Sequence, residues 1–174
     1  MLYNLLNSIK EINIYYVMSE LSSFEFYKQY HNNFFNKLCH LIGIPFIILS
    51  FMTFFKHIVL TKKENMVKKL SIPRYHFPLN RLIMLGYVTY YTTYSIYLGL
   101  IMFFYFELLY FISNYKNFSY TTALYLFFAS WILQFIGHFI EGKRPALVDS
   151  IGQAFLGAPL FSLETILPQI KNYI

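Results

Sequence analysis

Residues 41–55 read LIGIPFIILSFMTFF and contain no charged side chain. The apolar stretch extends to Leu60 if the ammonium group of Lys56 reaches the membrane surface, as long basic side chains do near helix ends. A helix of about 20 apolar residues is long enough to cross the hydrocarbon core of a bilayer. The stretch therefore predicts a transmembrane helix that runs on from about Phe34. Pro45 lies near its start, where a kink is tolerated.

Two more stretches have the same character. Residues 82–106 carry no charge, and apolar residues continue to Ile112. A single helix of about 31 residues would be about 46 Å long, against a hydrocarbon core of about 30 Å. We therefore predict a two-helix hairpin with a break near residues 95–100. Residues 117–140 form another span, and the shorter stretch 150–167 is a span, a re-entrant segment or an interfacial helix.

The composition agrees with a lipid environment. Hydrophobic residues make up 57% of the 174 residues and charged residues only 13%, whereas soluble domains carry about 25% charged residues. So few charges would hardly cover a water-soluble globule of this size. The sequence thus predicts an all-α fold, a polytopic integral membrane bundle with about four to five membrane helices. The lipid bilayer is its first expected partner.

The polar segments divide the chain. Residues 1–21 form an N-terminal extension, either a short interfacial helix or a dispensable segment, and residues 22–170 form one membrane domain. Residues 61–81 are a basic loop or surface helix within that domain. The net charge of +6 suits an anionic membrane surface, and no basic face on a soluble fold indicates nucleic-acid binding. Because Cys39 is the only cysteine, an internal disulfide and a cysteine-rich metal site are excluded.

The loop also bears on orientation. The positive-inside rule favours a cytosolic 61–81 loop, whereas the basic residues near the other end of the spans favour the opposite orientation. Those competing residues are Lys28, Lys37, Lys143 and Arg144.

Histidines near the apolar segments are the candidates for chemistry, because ionisable groups at membrane depth are usually functional. His31 and His40 would face opposite sides of one straight helix, but Asn32-Asn33 supplies a break that lets them converge. Gln134, His138 and Glu141 share one helix face through their i+4 and i+3 spacing. This spacing leaves two interpretations open, a metal site or ordinary interfacial hydrogen bonding. His57 and His76 lie beside or within the basic loop, and we expect no role for them.

Two sequence blocks resemble a known family. The first, FYKQYHNNFFNKLCHLIGIP at residues 26–45, contains a Tyr-His pair, then Asn and His four residues apart, then Gly-x-Pro. The second, WILQFIGH at residues 131–138, is followed by Glu141 and by RPALVD at residues 144–149. Both resemble the Mpo1-like family of 2-hydroxy fatty acid dioxygenases. A weaker match covers Ala158-Pro159 through Glu164, so the resemblance spans residues 24–164.

The resemblance implies a multi-pass enzyme of the endoplasmic reticulum membrane that uses Fe(II) and O₂. Its substrates would be 2-hydroxy fatty acids, shortened by one carbon in the α-oxidation step of phytosphingosine breakdown. The implied iron ligands are His31, His40 and His138, and Glu141 joins them as a candidate catalytic residue. We expect Arg144, with Lys143 and Gln134, to bind substrate, Arg144 holding the carboxylate in bidentate fashion.

Two other functions fit the residues. A small polytopic protein with a basic loop is also what a non-enzymatic lipid-binding or membrane-organising protein would look like. A zinc-dependent membrane hydrolase would use the same histidines with Glu141 as general base. Zinc fits imidazole ligands equally well but has no redox chemistry.

Overall fold

The computed structural model describes residues 24, 27–28, 30–56, 58–60, 77–115 and 118–173. The N-terminal extension, most of the basic loop, His57 and His76 lie outside the described residues. Within them the chain is an all-α bundle, as predicted. The helices are α1 Phe34–Phe55, α2 Leu79–Thr92, α3 Ile96–Ser113, α4 Tyr120–Glu141, α5 Ala146–Asp149 and α6 Ile151–Ile166, followed by a 3-10 helix at Pro168–Tyr173.

The first helix begins where the sequence places a break. Asn33 has an extended backbone, and its side chain accepts a hydrogen bond from the backbone N–H of Phe35. This is the N-cap geometry that satisfies a free N–H at a helix start. Pro45 lies inside α1. Since α1 begins at Phe34, His31 precedes the helix and His40 lies on it.

Only the end of the predicted basic segment 61–81 lies within the described residues. Two-residue strands, β1 at Val59–Leu60 and β2 at Phe77–Pro78, pair in antiparallel fashion, and α2 begins immediately after β2. Arg81 therefore belongs to α2 and not to the loop. Its guanidinium pairs with Glu107 of α3 and lies over the ring of Tyr110. The opposite charge on the neighbouring helix explains how an arginine is accommodated there.

The predicted hairpin is confirmed. Helices α2 and α3 are separated by a break at Thr93–Ser95 and pack against each other. The break starts two residues earlier than the predicted region because Ser95 caps α3, its side chain accepting a hydrogen bond from the backbone N–H of Tyr97. Beyond the break, Gly99 lies so close to Thr92 that a Cβ carbon would overlap the threonine hydroxyl. The small residue lets the two arms approach.

The fourth helix and its continuation have well-defined ends. Ser119 caps the start of α4, and Gly142 ends it with a φ of 71°, the left-handed conformation that glycine favours. Helix α6 contains Pro159, which has no N–H to offer the carbonyl of Phe155 one turn earlier. The hydroxyl of Tyr87 donates a hydrogen bond to that carbonyl at 3.1 Å. Helix α2 thus compensates for the proline in α6.

The helices alternate in direction. The ammonium group of Lys56, at the end of α1, donates to the backbone carbonyl of Ser113, the last residue of α3, and to that of Phe118, just before α4. Helix α2 also starts there, because the side chain of Asn80 donates to the carbonyl of Met52. We call this the Lys56 end of the bundle. The end of α4 therefore lies at the opposite end, beside the start of α1.

Three described helices are long and apolar enough to cross a membrane, namely α1, α3 and α4. Helices α2 and α6, with 14 and 16 residues, are shorter than the ~20 residues that usually span a bilayer. They pack against the longer helices and complete the bundle. The hairpin therefore has one long arm and one short arm.

Candidate metal centre

Three histidines meet at the end of the bundle opposite Lys56. His31 lies just before α1, His40 on the second turn of α1, and His138 on the last turn of α4. All three side chains are buried, and one ring nitrogen from each lies within 4.8 Å of the others. The break at Asn32-Asn33 brings His31 and His40 together, and the close packing of α1 on α4 brings His138 to them.

Hydrogen bonds fix which nitrogens are free. Nδ1 of His31 lies 2.6 Å from the carbonyl oxygen of Tyr27, and Nδ1 of His40 lies 3.0 Å from that of Asn36. A carbonyl oxygen only accepts, so each Nδ1 carries the hydrogen and each neutral ring presents a lone pair at Nε2. These two Nε2 atoms are 2.9 Å apart. Two lone pairs at this separation repel each other unless both bind the same cation.

A metal ion satisfies this arrangement better than a proton. Burial, together with the neighbouring His138, lowers the pKa of His31 to about 4, so this ring is neutral near pH 7. In addition, Nδ1 of His138 is buried without a hydrogen-bond partner among the described residues. Neutral imidazole is a common ligand for zinc, iron, copper and nickel. The three rings therefore fit a metal ion and leave further coordination positions open.

Glu141 accepts hydrogen bonds from the segment that follows His31. One carboxylate oxygen accepts from the backbone N–H of Asn32 at 2.8 Å, and the other accepts from the backbone N–H of Asn33 at 3.0 Å and from the Asn36 amide at 2.8 Å. Among the described residues it does not belong to the group of potential ligands. Its position ties the end of α4 to the break that orients His31.

Gln134 lies where α1 and α4 cross. Its side-chain amide donates to the carbonyl of Cys39 at 3.1 Å. A Cβ carbon at Gly43 would overlap the same amide, and one at Gly137 would overlap the side-chain oxygen of Asn36. Two glycines therefore allow the close crossing that sets His40 beside His138.

Aromatic rings cover the histidines. The Tyr27 ring stacks on His31 with centroids 4.4 Å apart, and Phe161 of α6 lies 4.8 Å from the same imidazole. Both rings also lie edge-on to His40. No pattern in the sequence indicates this cover. Phe161 falls in an apolar helix like any other, and Tyr27 is one of 17 tyrosines.

An apolar cavity of about 290 Å³ begins at these histidines. His40 and His138 line it at one end, and Met52, Phe55 and Asn80 line it at the Lys56 end. Along α1, the twelve residues from His40 to Met52 correspond to about 18 Å at the helical rise of 1.5 Å per residue. The cavity is long enough for much of an extended long-chain acyl group.

Arg144 and Lys143, the basic residues expected to bind substrate, both lie near carboxylates. The Arg144 side chain is 69% exposed and pairs with Asp149 at 2.7 Å, and the other oxygen of Asp149 accepts from the Tyr30 hydroxyl at 2.7 Å. The ammonium group of Lys143 is 4.0 Å from Glu141. Neither lines the cavity, whereas Gln134 does. Pro145, directly after Arg144, lies on the cavity wall.

Comparison with known proteins gives one match. The sequence model of a family described as 2-hydroxy-palmitic acid dioxygenase Mpo1-like matches residues 18–170. No curated protein matches the chain, and no solved structure matches it.

Proposed function

Because the chain belongs to the Mpo1-like family, we propose that it is an Fe(II)-dependent dioxygenase that shortens 2-hydroxy fatty acids by one carbon. The observation that best supports a metal-dependent reaction is the pair of facing Nε2 atoms of His31 and His40, with the buried ring of His138 in the same cluster. His31, His40 and His138 would hold the iron. Bound there, iron supplies redox chemistry with O₂, which zinc does not.

The reaction balances with O₂ as the oxidant. A 2-hydroxy fatty acid and O₂ give the acid one carbon shorter, carbon dioxide and water. The bond that breaks joins the carboxyl carbon to the carbon bearing the hydroxyl group. The oxygen of O₂ takes up the four electrons released from the acid. No further reductant is needed.

The protein's own groups hold the substrate and keep water away. The apolar cavity takes the acyl chain, so the carboxylate and hydroxyl lie at its histidine end. Tyr27 and Phe161 shield the site from solvent. Arg144, next to the cavity wall, is our candidate for holding the substrate carboxylate, after exchanging its Asp149 partner. Glu141 and the amide of Asn36 position the His31 segment.

The same proposal includes a location and a pathway role. A bundle with three candidate membrane-spanning helices takes a lipophilic acid directly from the bilayer, where such acids partition. We propose the endoplasmic reticulum membrane as the site, and breakdown of the sphingolipid base phytosphingosine as the source of the acids.

The test uses protein purified in detergent without oxygen. We expect it to bind about one Fe(II) per chain and, once O₂ is admitted, to convert a 2-hydroxy fatty acid to the acid one carbon shorter. Replacing His31, His40 or His138 by Ala should abolish turnover, because each replacement removes a metal ligand. The variants should remain folded. His57→Ala and His76→Ala serve as controls and should be close to neutral.

Three results would contradict the proposal. Full activity in His138→Ala would rule out the proposed metal site. A protein that holds only zinc and consumes no O₂ would favour a hydrolase, although the hydrogen bonds of Glu141 leave it poorly placed as a general base. A folded protein that binds lipid but no metal would be a lipid-binding membrane protein.

A further inference from the structure

The end of the cavity remote from the histidines contains a polar side chain. Asn80, on the first turn of α2, lines the cavity and is only 1% exposed. Its amide nitrogen donates to the carbonyl of Met52 at 3.1 Å. Its side-chain oxygen is buried and has no hydrogen-bond partner among the described residues. Nothing in the metal site or in the proposed reaction uses this residue.

The tether to Met52 keeps Asn80 in place. A side chain that is hydrogen-bonded to the backbone of another helix cannot swing aside to admit a ligand without losing that bond. Leaving a buried donor or acceptor without a partner is costly. Asn80 is therefore a fixed obstacle at this end of the cavity, whereas flexible apolar side chains would yield.

The unpartnered oxygen makes contact with a methyl group unfavourable. An acyl chain that reaches Asn80 covers a carbonyl oxygen with carbon and offers it no hydrogen. Elsewhere along the cavity each additional methylene gains free energy by leaving water. The gain should therefore stop at the chain length whose methyl end meets Asn80.

We propose that Asn80 closes the acyl cavity and sets the longest chain that the protein accepts, with the carboxylate end of the acid at the histidines. This inference rests on the proposed function only for the choice of a fatty acid as ligand. Binding requires neither iron nor O₂, so it can be measured on metal-free protein.

The fluorescence of Trp131 can report the binding of a fatty acid. This residue lines the same cavity and is the only tryptophan in the chain. Its fluorescence can be titrated with saturated fatty acids of increasing length, for wild type, Asn80→Ala and Asn80→Leu. The ratio of variant to wild-type affinity at each length cancels partitioning of the acids into detergent. Asn114→Ala is the matched control, because Asn114 lies exposed at the Lys56 end and does not line the cavity.

For Asn80→Ala we expect a ratio near 1 for short acids. Beyond a threshold length, the ratio should rise by about fourfold for each methylene that the new space accepts. Asn80→Leu keeps the bulk of the side chain but lacks the tether and the polar oxygen, so the ratio should rise by less than in Asn80→Ala. Asn114→Ala should give a ratio near 1 at all lengths. A flat ratio for folded Asn80→Ala would overturn the proposal.

A second measurement needs no variant and remains valid if Asn80→Ala fails to fold. A fatty acid with a photoreactive diazirine at its methyl end should label wild-type protein at the end of α1 and the start of α2, near Met52 and Asn80. Label near His40 would overturn the proposal. Either binding result leaves the dioxygenase test unaffected, and a failed dioxygenase test leaves the binding threshold measurable.

Discussion

At the residue scale, Glu141 shows how one side chain can matter to a metal site without touching the metal. Its two carboxylate oxygens accept three hydrogen bonds from the segment that follows His31. Removing the carboxylate would take the acceptor away from all three donors and free the segment to move. The geometry favours a positioning role over the catalytic role that we assign it from the sequence.

Glu141→Ala should therefore lower the affinity for Fe(II) by about 10- to 100-fold, the usual cost of removing a group that orients a ligand. Excess Fe(II) should restore most of the turnover, because the chemistry itself is intact. Iron titration and kcat at saturating iron separate the two effects. Glu164→Gln, which changes a carboxylate paired with Lys28, is the control. Turnover that stays lost at saturating iron would restore the catalytic role.

Two roles of Arg144 can be distinguished by experiment: binding of the substrate carboxylate, and an ion pair with Asp149 that only supports the fold. If its guanidinium holds the substrate carboxylate, Arg144→Ala should raise KM by about 10- to 100-fold, the cost of one hydrogen bond to a charged group. Iron affinity should not change. Asp149→Asn, which releases the arginine from its partner, should leave KM unchanged or lower it. Equal losses in both variants would mean that the ion pair only supports the fold.

At the element scale, the crossing of α1 on α4 depends on the absence of side chains at Gly43 and Gly137. In Gly137→Ala the new methyl group would overlap the Asn36 side chain and press on Cys39. We expect a loss of about 1–3 kcal/mol in the free energy of unfolding, as for other overpacked sites. Thermal or denaturant unfolding in detergent measures this.

The matched control is Gly86→Ala, in the middle of α2. No atom lies within 4 Å of a Cβ carbon there, and alanine is a better helix former than glycine by up to about 1 kcal/mol. This variant should be unchanged or slightly more stable. Equal stability of the Gly137 and Gly86 variants would show that the crossing is looser than the structure describes.

At the scale of the whole molecule, we expect the two ends of α3, a candidate membrane-spanning helix, to lie on opposite sides of the membrane. Tyr97 and Tyr115 are exposed near these ends. In a Cys39→Ser background, Tyr97→Cys and Tyr115→Cys should react with a membrane-impermeant thiol reagent from opposite sides. Val148→Cys, beside the histidine end, should react from the same side as Tyr97→Cys. Labelling of the two α3 positions from one side would contradict the hairpin.

The sequence predicts the spans and the hairpin because uncharged stretches and helix lengths are local properties. It also identifies the histidines, since polar residues are rare within apolar helices. It does not predict the cover by Phe161 or the lining by Asn80, because these depend on how α6 and α2 pack on α1. The pairing of Arg144 with Asp149 cannot be predicted from the sequence either, since a separation of five residues alone does not define the geometry of the two side chains.

The contacts around Glu141 have a consequence for how the protein is made. Asn32 and Glu141 are 109 residues apart along the chain, and His138 lies on the same turn as Glu141. During translation the α1 segment reaches the membrane long before His138 and Glu141 have been synthesised. His31 and His40 are therefore present without His138 while the hairpin of α2 and α3 is inserted into the bilayer. If a metal ion binds at these three histidines, we expect its capture to follow the insertion of α4, so that metal content would report correct insertion of this helix.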